Sequence, residues 1–226
     1  MTRIVLKVGG AVAGEAATLA LALAQQHDVC VVHGAGPQIS AELERAGLEV
    51  RFVDGRRVTS AEALAVVRSS LATVNAAVCA SIGPQALPLF GDEIGLAAVR
   101  VPELGHVGSP IPSCPPAIEE ALAAGRIPVV APLGLGGMGV GPLNVNADEA
   151  AAALAVGLGA EKLLFVTDAP GLLLGGTVTS TIRVAEAERL LAVGALGGGI
   201  VPKLEAAIVA ARGGVDATIG ATAVLA

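Results

Sequence analysis

The chain has 226 residues, of which 54% are apolar and only 15% charged, with 30 glycines and a formal net charge of −6. That length supports a core well above the marginal size, and the scarcity of charge suits a sheet buried on both faces by helices. An acidic balance with no basic stripe or aromatic platform excludes nucleic acid as a partner. The two longest uncharged stretches, Ser69–Gly91 and Ile127–Ala147, are broken by Pro84, Pro88, Pro132, Pro142 and a run of glycines, so neither reads as a lipid-facing helix. The opening MTRIVLKVGG lacks the apolar core and cleavage site of a signal peptide. A cytoplasmic chain is expected. Cys30, Cys79 and Cys114 are odd in number and widely spaced, which reads as buried thiols and not as a disulfide or zinc site.

In chain order, Ile4–Val8 is a first strand ending at Gly9-Gly10, and a helical pattern follows over Glu15–Gln26. Val29–Val32 is a second strand, ending in His33-Gly34-Ala35-Gly36 with a helix opening at Pro37. This βαβα opening with glycine turns predicts a parallel sheet. Val50–Val53 and Arg57–Thr59 flank Asp54-Gly55, a hairpin signal. Thr59 and Glu62 have capping-box spacing for a helix running towards Ser81. Short strands are expected over Ala86–Phe90 and Leu96–Val101, a helix over Pro115–Ala124 and a buried strand over Pro128–Ala131. Gly134-Leu-Gly136-Gly-Met-Gly139 fits a dinucleotide fingerprint, but no helix opens within those glycines, so a hairpin tip is the better reading.

From Asn144 to Leu172 the chain reads as two asparagines, Asp148 at a helix start, an alanine-packed helix, a buried strand Leu163–Val166 and the turn Thr167-Asp168. A helix N-terminus and the carboxyl end of a strand are both places where an anionic ligand binds in open α/β sheets. A helix over Val184–Val193 follows. The turn Gly197–Gly199 then opens a helix that carries Lys203 and stops at Gly213, and strands Ala217–Ile219 and Thr222–Leu225 finish the chain. The alternation predicts a three-layer αβα sandwich with a mainly parallel central sheet.

Only three lysines occur, and Lys7 and Lys203 sit beside glycine-rich turns, while Lys162 reads as a solvated charge. An ammonium inside a buried parallel strand, as at Lys7, is costly without an anion to meet it. Two lysines and several glycine N–H groups suit a transferring phosphoryl group, which needs positioning and charge stabilisation more than covalent chemistry. Asp148 between them would hold both ammonium groups. No catalytic base stands out, since His33 and His106 are unaccompanied. A carboxylate acceptor needs none, being ionised near neutral pH. Arg56-Arg57 is the candidate grip for a substrate carboxylate. No G-x-x-x-x-G-K-[ST] occurs, which excludes a P-loop.

These residues resemble the amino acid kinase superfamily, and within it the acetylglutamate kinases. The matching segments are Leu6–Gly10, Val32–Pro37, Gly55–Thr59, Glu103–Gly108, Asn144–Asp148, Gly159–Leu163, Thr167–Gly171 and Gly198–Lys203, in family order along nearly the whole chain. The resemblance implies one domain over 1–226, with a lobe for the acylated amino acid over about 1–147 and a nucleotide lobe over about 148–226. It implies transfer of the γ-phosphoryl of ATP, with Mg2+, to the side-chain carboxylate of N-acetyl-L-glutamate. Lys7 and Lys203 would stabilise the transition state and Asp148 would orient them. Gly9, Gly10, Ala35 and Gly36 would offer N–H groups to phosphoryl oxygens, and Arg57 and Asn144 would hold the acetylated amino acid. Thr167, Asp168, Gly171, Leu172 and Leu173, with Ala195, Leu196 and Gly197, would line the nucleotide site. Magnesium would be held mainly by phosphates and water, with no protein metal site.

Three departures stand out. Ala35 occupies a position where the family usually has glycine, the region around Gly91-Asp92 is short, and Gly220–Thr222 replaces a longer helix and loop. The chain begins almost at its first strand, without the N-terminal helix of the family's arginine-inhibited hexamers, so an arginine-insensitive homodimer is expected. The competing expectations are a relative acting on a carrier-protein-linked aminoadipate or glutamate, a non-catalytic nucleotide-binding module, and a nicotinamide oxidoreductase resting on Gly134–Gly139 alone.

Overall fold

A computed structural model describes residues 1–9 and 13–226. The elements run β1 (Thr2–Val8), α1 (Ala13–Leu23), β2 (His27–His33), α2 (Gly36–Arg45), β3 (Phe52–Val53), β4 (Arg56–Arg57), α3 (Ala61–Ile82) and β5 (Ala86–Phe90). Then come α4 (Gly91–Ile94), β6 (Ala98–Arg100), β7 (Val107–Pro110), α5 (Pro116–Ala123), β8 (Ile127–Ala131), β9 (Leu133–Leu135), β10 (Pro142–Val145) and α6 (Ala147–Gly157). The last part holds β11 (Lys162–Val166), β12 (Leu173–Leu174), β13 (Thr177–Val178), β14 (Thr181–Arg183), α7 (Val184–Ala192), α8 (Ile200–Arg212), β15 (Asp216–Ile219) and β16 (Thr222–Leu225).

Eight strands form the central sheet in the order β14-β16-β15-β11-β1-β2-β8-β5, parallel except where β15 meets β16. Burial on both faces explains why β8 reads as five buried residues in succession. Alternate residues of each strand face opposite layers. Val5, Cys30, Val32, Leu163 and Phe165 pack with residues of α6 and α8, while Ile4, Leu6, Val29 and Val31 pack with residues of α1 and α3. The result is the expected three-layer αβα sandwich. Lys7 shares its face with Val5, so the same alternation turns its side chain towards the α6–α8 layer.

Several sequence expectations need correcting. The cap of α3 is Ser60, whose Oγ accepts from Ala63 N at 3.1 Å, one residue beyond the expected Thr59. Thr59 is fully buried and bonded elsewhere. Between the two expected short strands Gly91–Ile94 form a short helix, and the second strand spans Ala98–Arg100 only. A second sheet, β6-β7-β10-β9, was only partly foreseen, and Gly136–Gly141 closes its β9–β10 hairpin. Cys30 is buried as expected, but Cys114 is exposed. α3 is long and apolar enough to cross a membrane by length and composition, yet it packs Val67, Leu71, Val78 and Ile82 into the core, and buried Asn75 donates to Val129 O at 2.9 Å. Such packing is that of a core helix.

Candidate active site

The site lies at the carboxyl ends of β1, β2 and β11, the central strands of the sheet, where ligands bind in open α/β folds. Above them sits the N-terminus of α6. Its cap is Asn146, whose side-chain oxygen accepts from Asp148 N at 2.8 Å and Glu149 N at 3.4 Å. A capped first turn fixes the direction of Asp148. Its carboxylate meets Lys7 Nζ at 2.8 Å through one oxygen and Lys203 Nζ at 3.8 Å through the other.

The two lysines come from opposite ends of the chain. Lys7 and Asp148 are each 7% exposed at the side chain and Lys203 16%. Burial, and then the neighbouring Lys7, hold the Lys203 ammonium below the ordinary lysine range, while Asp148 and Asp168 pull it back up. Lys203 Nζ also donates to Gly199 O at 3.2 Å. One carboxylate between two ammonium groups leaves a net positive charge at the sheet edge, and an anion is its natural complement.

A cleft of about 190 Å³ opens beside this cluster, lined by Lys7, Gly34–Gly36, Phe52, Arg57, Asn144 and Asp148 among others. Ala35 and Gly36, at the start of α2, take no bond through their N–H groups among the described residues. The Ala35 φ of −147° lies outside the left-handed region, so alanine here costs nothing that glycine would save. Its methyl instead joins the small core of Ile39, Leu43, Val67 and Leu71.

Arg57 is buried, with its guanidinium 4.5 Å from the Phe52 ring centre. It donates through Nη2 to Gly36 O at 3.0 Å and Ser40 Oγ at 2.9 Å, while buried Nη1 has no partner among the described residues. A buried guanidinium with an unused donor edge is half of a two-pronged carboxylate contact. Asn144 Nδ2 donates to Thr59 Oγ1 at 3.0 Å, and Thr59 Oγ1 donates to Arg57 O at 2.8 Å. Asn144 and Arg57 are thus tied together through Thr59.

Three of the expected residues have their polar groups engaged elsewhere in the structure. Arg56 is no substrate grip, because Nε and Nη2 are both bonded to Glu149 at 2.8 Å. Gly9 already gives its N–H to Val166 O at 3.3 Å. Leu172 is wholly buried, donates its N–H to Thr222 Oγ1 at 2.8 Å and accepts from Thr179 N at 2.9 Å, so it shapes the loop from inside. Gly10 lies outside the described residues.

The other expected nucleotide residues lie in two loops, one after β11 and one before α8. Thr167 Oγ1 donates to Asp168 Oδ1 at 3.1 Å, just past β11. Gly171 has φ 146°, and a Cβ there would press on Thr222 Oγ1. Leu173 is 52% exposed. Ala195–Gly197 form the turn into α8, where Ala195 N donates to Leu190 O. The tight Gly220 turn between β15 and β16 closes against Pro170, with Ala221 N donating to Pro170 O at 2.9 Å, so the shortened region still supports the 167–173 loop.

Sequence reasoning missed Asn146 as the cap that aims Asp148, and Ser40 as a partner of Arg57. An asparagine two residues before an aspartate at a helix start was the available signal for the first.

The profile of the amino acid kinase family matches residues 2–220. The acetylglutamate kinase of Rubrobacter xylanophilus is 42% identical over 97% of this chain and 88% of its own length. That of Methanopyrus kandleri is 40% identical over 93% and 91%. The crystal structure of smu.665 from Streptococcus mutans superposes with a TM-score of 0.85 at 26% identity, covering 99% of this chain and 98% of its own. Carbamate kinase from Giardia lamblia bound to AMP-PNP, at 14% identity and a TM-score of 0.70 over 99% and 98%, shares the fold. With nearly the whole sequence matched by profile and by relatives, the chain belongs to the amino acid kinase family.

Proposed function

We propose that the protein transfers the γ-phosphoryl group of ATP to the side-chain carboxylate of N-acetyl-L-glutamate, the reaction for which its acetylglutamate kinase relatives are named, as a step of arginine biosynthesis. The observation that carries the reading is the Lys7–Asp148–Lys203 cluster, set between a cleft holding a buried, half-satisfied arginine and an exposed glycine-flanked loop.

The acceptor's α-carboxylate would pair with Arg57 Nη1, with Asn144 beside it, and its side-chain carboxylate would point at the lysines. An acceptor oxygen attacks the γ-phosphorus, the bond to the β,γ-bridging oxygen breaks, and ADP leaves with that electron pair. Lys7, which lines the acceptor cleft, meets charge on the incoming side; Lys203, on α8, meets it on the leaving side. At about 4 Å and an effective dielectric near 20 each contact amounts to roughly 4 kcal/mol before desolvation. Ala35 and Gly36 N–H groups add donors for the transferring oxygens. No proton moves, so no base is required. The acceptor belongs to the half over about 1–147 and the nucleotide to Thr167, Asp168, Gly171, Leu173 and Ala195–Gly197 in the half over about 148–226.

Magnesium fits as a companion of the nucleotide. Among the described residues no three His, Cys, Asp or Glu side chains are placed to hold a metal ion together, and Asp148 already faces two ammonium groups. Phosphate oxygens and water would hold the ion, and its chemistry is to screen their charge. The assembly in this reading is a cytoplasmic homodimer.

The test is a hydroxylamine trap for acyl phosphate with ATP, magnesium and a panel of carboxylate acceptors. Signal with N-acetylglutamate, and none with aspartate or glutamate, is expected. Signal only with a carrier-protein-linked acceptor, or none at all, would overturn the assignment.

A further inference from the structure

The bidentate pair between Arg56 and Glu149 belongs to neither substrate in the mechanism above, yet it joins two parts of the site. Arg56 lies on β4 next to Arg57, and Glu149 lies on α6 next to Asp148. Adjacent strand residues point to opposite faces, so the Arg57 guanidinium reaches Gly36 and Ser40 while that of Arg56, a residue that borders the acceptor cleft, turns to Glu149. Arg56 Nη2 also reaches Ser109 Oγ at 3.3 Å, on β7. A second link runs parallel to the pair, since Asn146 Nδ2, from the α6 cap, donates to Gly55 O at 3.4 Å. The hairpin turn itself needs fixing from outside. It spans two two-residue strands joined by Asp54 (φ 47°) and Gly55 (φ 73°), and so small a hairpin has little stability of its own.

Around the pair the charges run one way. Glu205 on α8 and Asp54 in the turn both add to the hold of Glu149 on the Arg56 guanidinium. Glu205, two residues from Lys203, has its own carboxyl pushed up by burial and by Glu149, and drawn down by Arg56. A cavity of about 480 Å³ on this side of the hairpin is walled by Val53, Leu104, Pro110, Ala152 and Val209, with Arg56 and Glu149 between. Without the pair, that cavity leaves this side of the hairpin with the Asn146–Gly55 bond, while Arg57 stays bonded to Gly36 and Ser40 on the other.

We propose that Arg56 and Glu149 are positioning residues for phosphoryl transfer: their pair clamps the β3–β4 hairpin to the first turn of α6, so that Arg57 is held at the acceptor while Asp148 holds the lysines. This rests on the kinase reading above for its kinetic consequence and on geometry alone for its structural one. Single-sided pairs on a surface contribute little, but a two-pronged guanidinium–carboxylate contact reinforced by a neighbouring bond restrains orientation.

The experiment compares wild type with Arg56→Met, Glu149→Gln, the double variant and Arg56→Lys. Acceptor KM is expected to rise about tenfold in either single variant with kcat and the KM for ATP within about threefold, the pattern of lost acceptor positioning. The double variant should be no worse than the singles, because the two act as one contact. Arg56→Lys should recover only part of the effect, since an ammonium cannot make both prongs. In parallel, amide exchange in residues 52–57 should quicken in both singles while urea midpoints stay close to wild type. Unchanged acceptor KM in an active wild-type background would overturn the proposal, as would additive effects or an equal rise in the KM for ATP. If the wild type phosphorylates no carboxylate, the kinase reading fails separately, and the exchange of residues 52–57 still decides the clamp: no change there would sink it.

Discussion

At the scale of single residues the site divides its labour between charge and grip. Lys203 makes no contact that an unreacted acceptor would need, so Lys203→Ala should lower kcat by about 100-fold or more with acceptor KM nearly unchanged, as for the loss of one transition-state donor. Arg57→Ala should do the reverse and chiefly raise acceptor KM, a split that steady-state kinetics reads directly. The Lys203 ammonium, held below lysine's ordinary 10.5 by burial and by Lys7, must stay protonated to act. The alkaline limb of kcat should therefore begin below that value, and vanish from the residual activity of Lys203→Ala. His33 carries a second pH signature. Burial pushes its imidazole down to about 4, and Asn75 Nδ2 lies 3.0 Å from its Nε2. The unfolded chain binds this proton near 6.5 and the native chain only near 4, so stability is complete above the upper value and declines as pH falls between them. The loss is about 2 kcal/mol at pH 5. Urea unfolding followed by circular dichroism at pH 7.5 and 5 should show it, and His33→Gln should reduce that difference.

At the scale of elements, most of the sheet could be read from apolar runs and glycine turns. β1, β2 and β8 are buried on both faces over most of their length, β11 fully on one, and all four are long enough to carry a pattern. The shorter strands could not be read so. Two- and three-residue pieces such as β12, β13 and β9 have no period, and their pairing depends on which backbone comes alongside. The same limit applies to backbone groups near the site. Whether the N–H groups of Gly9 and Leu172 are free depends on partners at Val166 and Thr222, far away in sequence. Lys7, Asp148 and Lys203 were legible because a buried or glycine-flanked lysine is rare enough to require an anion. α6 itself can be tested at its far end. A Cβ on Gly157 would lie well inside contact with the Ser113 backbone, whereas one on Gly14 in α1 would meet nothing within 4 Å among the described residues. Gly157→Ala should cost about 1–3 kcal/mol through overpacking, and Gly14→Ala should gain about 0.5 kcal/mol from the lost flexibility of the unfolded chain. Urea midpoints measure both. Equal effects would mean that α6 does not lie against the 113 backbone.

At the scale of the whole molecule, β1 stands at the centre of the sheet and its Lys7 meets groups carried by α6 and α8, both from later in the chain. Asp148 is the junction. Because the acceptor is assigned to one side and the nucleotide to the other, each ligand should leave its mark on different backbone. Hydrogen exchange with N-acetylglutamate alone should slow amides in residues 34–40 and 52–57, where Gly36 and the hairpin surround the Arg57 guanidinium. A non-hydrolysable ATP analogue with magnesium should slow residues 167–174 and 195–200 and leave the hairpin at its free rate. Protection near Lys7 and Asp148 should deepen when both are present, since only then is the positive cluster matched by charge from either side. The pattern depends on the division of the chain near residue 148 and not on catalysis, so it can be read in an inactive variant such as Lys203→Ala. Slowing of 52–57 by the nucleotide analogue alone would place the phosphates on the hairpin side, and the two lysines would then have to exchange the roles assigned to them.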